Sequence, residues 1–400
     1  MAEAVIVATA RSPIGRAFKG SLVDARPDDL AAQMVIAALA KVPELPSSEI
    51  EDLMLGCGLP GGEQGFNMAR VVSVLAGLPD TPGTTVNRYC SSSLQTIRMA
   101  AHAIRAGEGD AFIAAGVECV SRFVKGSSDS LPDTENPIFS DAKARTDRLA
   151  SGSPWEPGDG LPDVYIAMGH TAENVAQLQG VSRIEQDDYA MSAQQRAGRA
   201  IANGFFEIDI TPVTLADGTV VSKDDGPRPG TTRETLQNLR PAFRPDGTVT
   251  AGNSCPLNDG AAAVVVMSDT RARELGIKPL ARIIASSVSG LNPEIMGLGP
   301  VEACRRVLAR AGMAITDIDL VELNEAFAAQ VLPSMRQLGI QHDRLNVHGG
   351  AIALGHPFGM TGARIMTTLI NGLVATDTTI GMETMCVGGG QGMAMIIERL

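Results

Sequence analysis

A soluble α/β protein built from two similar halves is the fold class that this sequence predicts, on three observations. Short apolar runs of strand length alternate with longer stretches whose apolar residues recur every three or four positions. Glycine is abundant, with 43 residues, while aromatics make up only 4%, a composition suited to helices lying close on a sheet. The order of elements in the opening part of the chain is met again at its end, as a duplicated unit would require. At 400 residues the chain exceeds one ordinary domain and has length for two or three that share a large core.

Taken in order, Ala4–Ala8 predicts a fully buried strand and Leu30–Leu39 an alanine-rich helix. Ile50–Leu55 predicts a second strand, followed by a glycine-rich turn over Gly56–Gly62. Met68–Leu75 has helical spacing, Thr84–Asn87 is strand-like, a helix follows Cys90, and Ala111–Ala115 forms a strand that ends at Gly116-Val117-Glu118. This alternation implies a mostly parallel sheet covered on both faces. Between Ser121 and Thr250 prolines, glycines and charges increase, as in the run Gly152–Gly160. Apolar faces persist at Thr171–Gln179 and Glu185–Asn203, so the region reads as an inserted loop domain rather than a disordered linker. Ala261–Met267 is expected to return to the first sheet. The rhythm then resumes with strand Ala281–Ser286, helix Val301–Ala311, strand Leu320–Leu323 and helix Glu325–Leu338. A turn over Asn346–Gly359, helix Gly362–Leu373 and strands near Met382–Cys386 and Met393–Ile397 complete it. The expected division is residues 1–120 with 251–270, an insertion over 121–250, and residues 271–400.

A net charge of −12 argues against nucleic-acid binding, so any anionic ligand must find a local basic patch. The six cysteines are dispersed and never form a Cys-x-x-Cys pair, which indicates neither a zinc site nor a disulfide framework. No apolar run is long enough to span a bilayer, and the start of the chain has no signal-cleavage pattern. Glu398-Arg399-Leu400 is not a peroxisomal address. A cytoplasmic protein with reduced thiols is expected.

The chemistry is expected to centre on Val86-Asn87-Arg88-Tyr89-Cys90-Ser91-Ser92-Ser93-Leu94-Gln95. A thiol at the start of a helix meets unpaired N–H groups and the positive end of the dipole, both of which favour a nucleophilic thiolate. The serines fit the helix start, where their hydroxyls can accept from those N–H groups. The same position also suits a thiol packed as a small hydrophobe. Three other stretches stand out: Asn324-Glu325-Ala326-Phe327, Gly355-His356-Pro357 and Cys386-Val387-Gly388-Gly389-Gly390. Each has a plainer reading, in that Asn324 could cap a helix from Glu325, His356 could sit in a turn, and Cys386 could be a buried strand thiol. His102 reads as structural and His342 as exposed, while His348 is the rival imidazole. Cys57, Cys119 and Cys304 read as core.

With Met168–Asn174 and Gly252–Gly260 between them, these four stretches make the chain similar to the thiolase family along essentially its whole length. The resemblance implies two mixed sheets with helices in layers, carrying an inserted loop domain. It implies an acyltransferase that cleaves a 3-oxoacyl-CoA with coenzyme A, reversibly, through an acyl-cysteine. By it, Cys90 attacks the 3-keto carbon, and His356 takes the thiol proton. Together with a water held by Asn324, His356 then donates to the thioester oxygen. Cys386 protonates the departing enolate, and the N–H groups of Cys90 and Gly388 form an oxyanion hole.

Coenzyme A enters as co-substrate, with no permanently bound cofactor and no metal. Lys223, Arg228 and Arg233 are the nearest basic patch for its phosphates, although with Asp224 and Asp225 they also read as a solvated face. The resemblance places Arg228 by the nucleotide and Met168, Ala251, Ala326 and Phe327 along the pantetheine. Cys255 stands where the family usually has serine, and a thiol is the weaker donor. His348 is a second departure. The small Ala167 before Met168 suggests a roomy acyl pocket and a degradative role. Alternatives are a biosynthetic acetoacetyl-CoA thiolase, a condensing synthase of the same fold, a redox-sensing role for the cysteines, and an inactive acyl-CoA or lipid binder. The expected partners are acyl-CoA and CoA, without nucleic acid or membrane insertion, in a homodimer or homotetramer.

Overall fold

The computed structural model of the chain describes residues 2–125, 134–149 and 154–400. Residues 152 and 153 of the glycine- and proline-rich run therefore lie outside the described residues, as do 126–133 of the expected insertion. The chain opens with β1 (Ala4–Arg11), β2 (Gly15–Arg16), α1 (Pro27–Leu39), β3 (Asp52–Gly56), α2 (Met68–Leu75), β4 (Gly83–Val86), α3 (Ser92–Ala106) and β5 (Ala111–Cys119). Next come α4 (Ser140–Leu149), α5 (Met168–Leu178), α6 (Arg183–Ala202), α7 (Phe205–Asp209), the hairpin β6 (Val213–Thr214) and β7 (Val220–Val221), and α8 (Arg233–Gln237). After them stand β8 (Asn258–Ser268), α9 (Asp269–Glu274), β9 (Ala281–Gly290), α10 (Gly299–Ala311) and β10 (Leu320–Leu323). The chain finishes with α11 (Ala328–Leu338), α12 (Ala351–Leu354), α13 (Thr361–Ala375), β11 (Ile380–Val387) and β12 (Gln391–Arg399).

The strands follow the order β4-β3-β5-β8-β1 in one wing and β10-β11-β12-β9 in the other. The wings meet where Val5 and Ile6 of β1 pair with Arg282 and Ala281 of β9. Within them β3 runs parallel to β4 and β5, and β10 parallel to β11, while β8 and β12 are antiparallel to both their neighbours. Where the first wing has β4, the second has only a parallel bridge between Val321 and Leu345. The expected two mixed sheets are thus present and joined edge to edge, but the expectation of a mostly parallel sheet is corrected, because β8 and β12 run antiparallel between their neighbours.

Three apolar layers hold the wings in place. The middle one packs α3 and α13 between the inner faces of both wings, with Ile6, Phe112 and Val266 from one and Leu320, Met385 and Met395 from the other. The second lies under α1 and α2, and the third under α10 and α11. Strands β1, β5 and β8 are buried at every residue because helices cover both their faces, which is why they read as continuous apolar runs. By contrast β9 alternates buried and half-buried residues and has one fully covered face.

Helices α3 and α13 come together backbone to backbone. A Cβ on Gly362 would collide with the backbone nitrogen of Leu94, and Ser93 Oγ accepts from the Ala363 N–H at 2.9 Å. Gly116 and Gly359 are equally crowded, since a side chain on Gly116 would strike the carbonyl of Gly359 and one on Gly359 that of Val117.

Two expectations about helix starts are corrected. The second-half helix begins at Ala328, not Glu325, because residues 324–327 are drawn into a loop where Phe327 bridges Ser254 and the Cys255 N–H donates to the Ala326 carbonyl at 3.0 Å. Asn324 therefore caps no helix. At α3 the serines do not cap either: Ser92 Oγ accepts from the Arg88 N–H at 2.9 Å and donates to the Tyr89 carbonyl at 2.7 Å, clamping the turn before the helix.

Gly362→Ala should lower stability by roughly 1–3 kcal/mol, the usual cost of overpacking a close contact. Gly230→Ala, where nothing lies within 4 Å of the added carbon, should be near neutral. Thermal unfolding of the two variants checks this, and equal midpoints would show that the seam is not tight.

Candidate active site

Cys90 occupies a single 3-10 turn, Tyr89–Ser91, between β4 and α3, and it is buried. Tyr89 before it has a φ of +42°, a left-handed conformation that bends the chain sharply out of the strand. Burial pushes the Cys90 thiol up to about 11, while N–H groups of Gly388 and of Cys90 itself, aimed at the sulfur, pull the other way. Those two donors are oriented to stabilise negative charge at this point.

His356 precedes α13 much as Cys90 precedes α3. Its N–H donates to Asn258 Oδ1 at 2.9 Å, and Asn258 Nδ2 donates to the Gly15 carbonyl at 2.9 Å, so β8 fixes the loop. The ring nitrogen Nδ1 lies 2.6 Å from Thr361 Oγ1, which itself donates to the Pro357 carbonyl at 2.7 Å. A hydroxyl has one hydrogen, so Thr361 must accept from Nδ1–H, which leaves Nε2 as the bare, basic nitrogen. Asn324 Nδ2 stands 3.2 Å from Nε2, and the buried Asn324 Oδ1 has no protein partner, leaving an acceptor free for a water. Burial, reinforced by the Arg364 charge, pushes His356 down to about 3, so the imidazole is neutral at physiological pH.

Cys386 is on β11, just before the Gly388–Gly390 turn, and is completely buried. Burial raises its thiol well above the usual range, with Cys90 and Cys255 adding to the effect, and Cys255 is raised by burial and by Cys90. Cys386 and Cys255 thus both feel a charge on Cys90. The Tyr89 ring covers Gly388, where an added Cβ would lie 3.3 Å from Cδ2, while Gly389 and Gly390 have φ values of +73° and +77°. These are conformations that suit glycine.

Two of the residues expected along coenzyme A share a cleft. Arg228 and Ala251 line one cleft of about 400 Å³ together with Arg16 and Pro256. Phe327 packs edge-on to Phe243 at 6.1 Å, and Phe243 lies against Gly169, next to Met168. Ala326 is pinned by the Cys255 N–H. Lys223 and Arg233 are not in the cleft: Lys223 borders a separate pocket and Arg233 pairs with Asp188 at 2.6 Å. The reading of Asp224 and Asp225 as a solvated face is corrected. Asp224 Oδ1 accepts from buried Arg11 at 2.6 Å and from the Ile14 N–H at 2.8 Å, and Asp225 Oδ2 from the Arg16 and Ser21 N–H groups.

His348 is accounted for by its stack on Phe205, ring centroids 3.7 Å apart, while His342 lies exposed beside Arg196. Sequence reasoning missed Thr361, Asn258 and the role of Glu118. The last is wholly buried, accepting from the N–H groups of Gly58 at 2.7 Å and Gly359 at 2.9 Å and from Gln64 Nε2 at 2.7 Å. It therefore ties the turn after β3 to the loop of His356. Burial pushes it up to about 7 against those donors. Its only sequence signal was an acid closing an apolar strand. Among the described residues no cluster of three or more His, Cys, Asp or Glu could hold a metal, and no helix is long and apolar enough to cross a membrane.

Known proteins resemble this chain along its whole length. Residues 4–270 match the family model described as thiolase, N-terminal domain, and residues 277–399 that of thiolase, C-terminal domain. A 3-ketoacyl-CoA thiolase of Bacillus subtilis is 45% identical over the full length of both chains. A 3-oxoadipyl-CoA/3-oxo-5,6-dehydrosuberyl-CoA thiolase of Escherichia coli is 44% identical, also over 100% of each. Among solved structures, the dimeric peroxisomal thiolase of Saccharomyces cerevisiae superposes with a TM-score of 0.88 at 36% identity, covering 100% of this chain and 97% of that one. The acetyl-CoA acetyltransferase of Bacillus anthracis gives 0.87 at 38%, covering 100% and 99%.

A thiol raised to about 11 by burial means that resting Cys90 is protonated. Its alkylation by iodoacetamide, followed by mass spectrometry of its peptide, should climb about tenfold per pH unit from pH 6 to 9. A plateau reached near pH 7 would instead mean a standing thiolate–imidazolium pair.

Proposed function

The chain belongs to the thiolase family, and on that premise we propose that Cys90, His356 and Cys386 together cleave a 3-oxoacyl-CoA with coenzyme A. In the first half-reaction Cys90 Sγ gives its proton to Nε2 of His356 and bonds to the 3-keto carbon. The oxygen, now negative, is held by the N–H groups of Cys90 and Gly388. As the carbonyl re-forms, the bond between carbons 2 and 3 breaks and its electrons pass into the thioester enolate. Protonated His356 and the water on Asn324 hold that enolate oxygen, and the Cys386 thiol delivers a proton to carbon 2, releasing acetyl-CoA. In the second half-reaction the thiol of coenzyme A returns a proton to Cys386 and attacks the acyl group, and Cys90 leaves as its sulfur recovers the proton from His356. Every proton lent is returned within the cycle.

The observation that carries this reading is the fixed tautomer of His356, which presents a bare Nε2 beside Asn324. A degradative direction is supported by the small Ala167 at the start of α5 and by relatives named for 3-ketoacyl-CoA and 3-oxoadipyl-CoA. Residues 1–120 with 251–270 and residues 271–400 are read as the catalytic halves. Residues 121–250 are read as an insertion that supplies Met168 and Arg228 to the coenzyme A arm. Homo-oligomeric assembly is favoured by the outer edge of β4, which pairs with no further strand among the described residues, beside the half-exposed Val74 and Leu75 of α2. The free thiols suit the reducing cytoplasm.

Cys90→Ala should abolish thiolysis while coenzyme A binding, measured by calorimetry, stays nearly intact. Unchanged turnover would end the nucleophile assignment. Cys386→Ser should slow release of acetyl-CoA by about 10²–10⁴-fold, more than it slows acyl transfer to coenzyme A. Asn324→Ala should reduce turnover by about 10²–10³-fold, as expected when an oxyanion contact is lost. Rapid-quench measurement of the two half-reactions separates these effects, and equal loss in both for Cys386→Ser would contradict its role.

A further inference from the structure

Glu294 is a wholly buried carboxylate that the proposed reaction does not use. Its Oε1 accepts from Arg145 Nη2 at 2.8 Å and from the Asp163 N–H at 2.9 Å, and its Oε2 from Trp155 Nε1 at 2.6 Å. Arg145 also donates to the Leu161 carbonyl at 3.1 Å, so the strap over residues 154–163 is gathered onto one acid. Such a carboxylate, with each oxygen engaged by strong donors, holds its partners in a narrow range of positions.

What the strap carries gives the clamp its meaning. Val164 follows Asp163, and its Cγ2 stands 4.0 Å from where a Cβ on Gly389 would be, beside the Tyr89 ring. On the other side, Glu294 follows Pro293 in a segment that seats the same glycine turn. The Leu291 N–H donates to the Gly390 carbonyl at 2.8 Å, and a side chain on Gly390 would run into Leu291 and Pro293. One carboxylate therefore sets the separation of two surfaces: the Gly388–Gly390 turn that directs an N–H at Cys90, and the strap that brings Val164 up to it.

We infer that Glu294 is a positioning residue that fixes the width of the acyl pocket and so the size of acyl chain that is cleaved. The inference rests on the thiolase reading, which is what puts an acyl group in front of Cys90. Loosening the clamp lets the strap move away from Gly389 and admits bulkier chains.

The test uses the full-length enzyme with acetoacetyl-CoA and 3-oxododecanoyl-CoA as alternative substrates, measuring kcat and KM for each. In Glu294→Gln the ratio of kcat/KM for the long substrate to that for the short one should rise at least fivefold. Trp155→Phe should move the ratio the same way by a smaller factor, and the change should lie mainly in KM for the long chain. Should Glu294→Gln fail to fold, Trp155→Phe alone decides. An unchanged ratio in active variants, or an equal loss for both substrates, would overturn the inference and leave the thiolase reading standing. A wild type that turns over neither substrate would remove both.

Discussion

The close approach of two backbones, at Ser93-Leu94 and Gly362-Ala363, is the contact on which the rest of this molecule depends. The N-terminal ends of α3 and α13 can meet there only because glycines stand at 56, 116, 359 and 362, where any Cβ would enter a neighbouring backbone or the Ser92–Leu94 segment. With side chains at those positions the wings would stand further apart, and the residues preceding each helix, Cys90 in one half and His356 in the other, would separate. A hydrogen bond from the Ala363 N–H to Ser93 Oγ then fixes the register of the crossing. The duplicated architecture is thus a means of bringing two helix starts to one point.

Depth of burial decides how the site works. A thiol and an imidazole moved away from water both favour their uncharged forms, which is the direction in which Cys90 and His356 are shifted. Both groups are accordingly neutral at rest, and in the proposed reaction charge develops only when substrate is bonded. In that reaction the N–H groups of Cys90 and Gly388 would meet it without rearrangement. A chain of single hydrogen bonds from Pro357 through Thr361 to Nδ1 settles which imidazole nitrogen is free. Glu118 and Glu294 play a comparable part at larger scale, Glu118 holding backbone N–H groups of two loops and Glu294 holding Arg145, Trp155 and the Asp163 N–H to one buried acid.

Much of this was legible in the sequence because strands buried on both faces are unbroken apolar runs. Ala4–Ala8 and Ala261–Met267 were found for that reason, as was the return of β8 to the first wing. Cys90 stood out because it falls where an apolar run meets a helix-patterned one, while His356 and Cys386 stood out only within the set of stretches that resembles the thiolase family. What escaped were residues whose importance comes from a partner remote in the chain. Thr361 is an ordinary helix-start threonine until His356 folds back on it. Asp224 resembles a surface acid until Arg11 is buried beneath it. The start of α11 was misjudged at Glu325 because the apolar spacing continues through 324–327, and only the pairing of Phe327 with Ser254 shows why the helix waits until Ala328.

The place of β1 at the joint between the wings has a bearing on how the chain must be made. It is flanked by β8 on one side and β9 on the other, and neither exists until residue 258 has left the ribosome. Through most of translation, therefore, a largely apolar first strand lacks the neighbours that flank it in the folded sheet. Native-like collapse must wait for its late arrivals, and the nascent polypeptide is a natural client for a chaperone that shields an unpaired apolar edge.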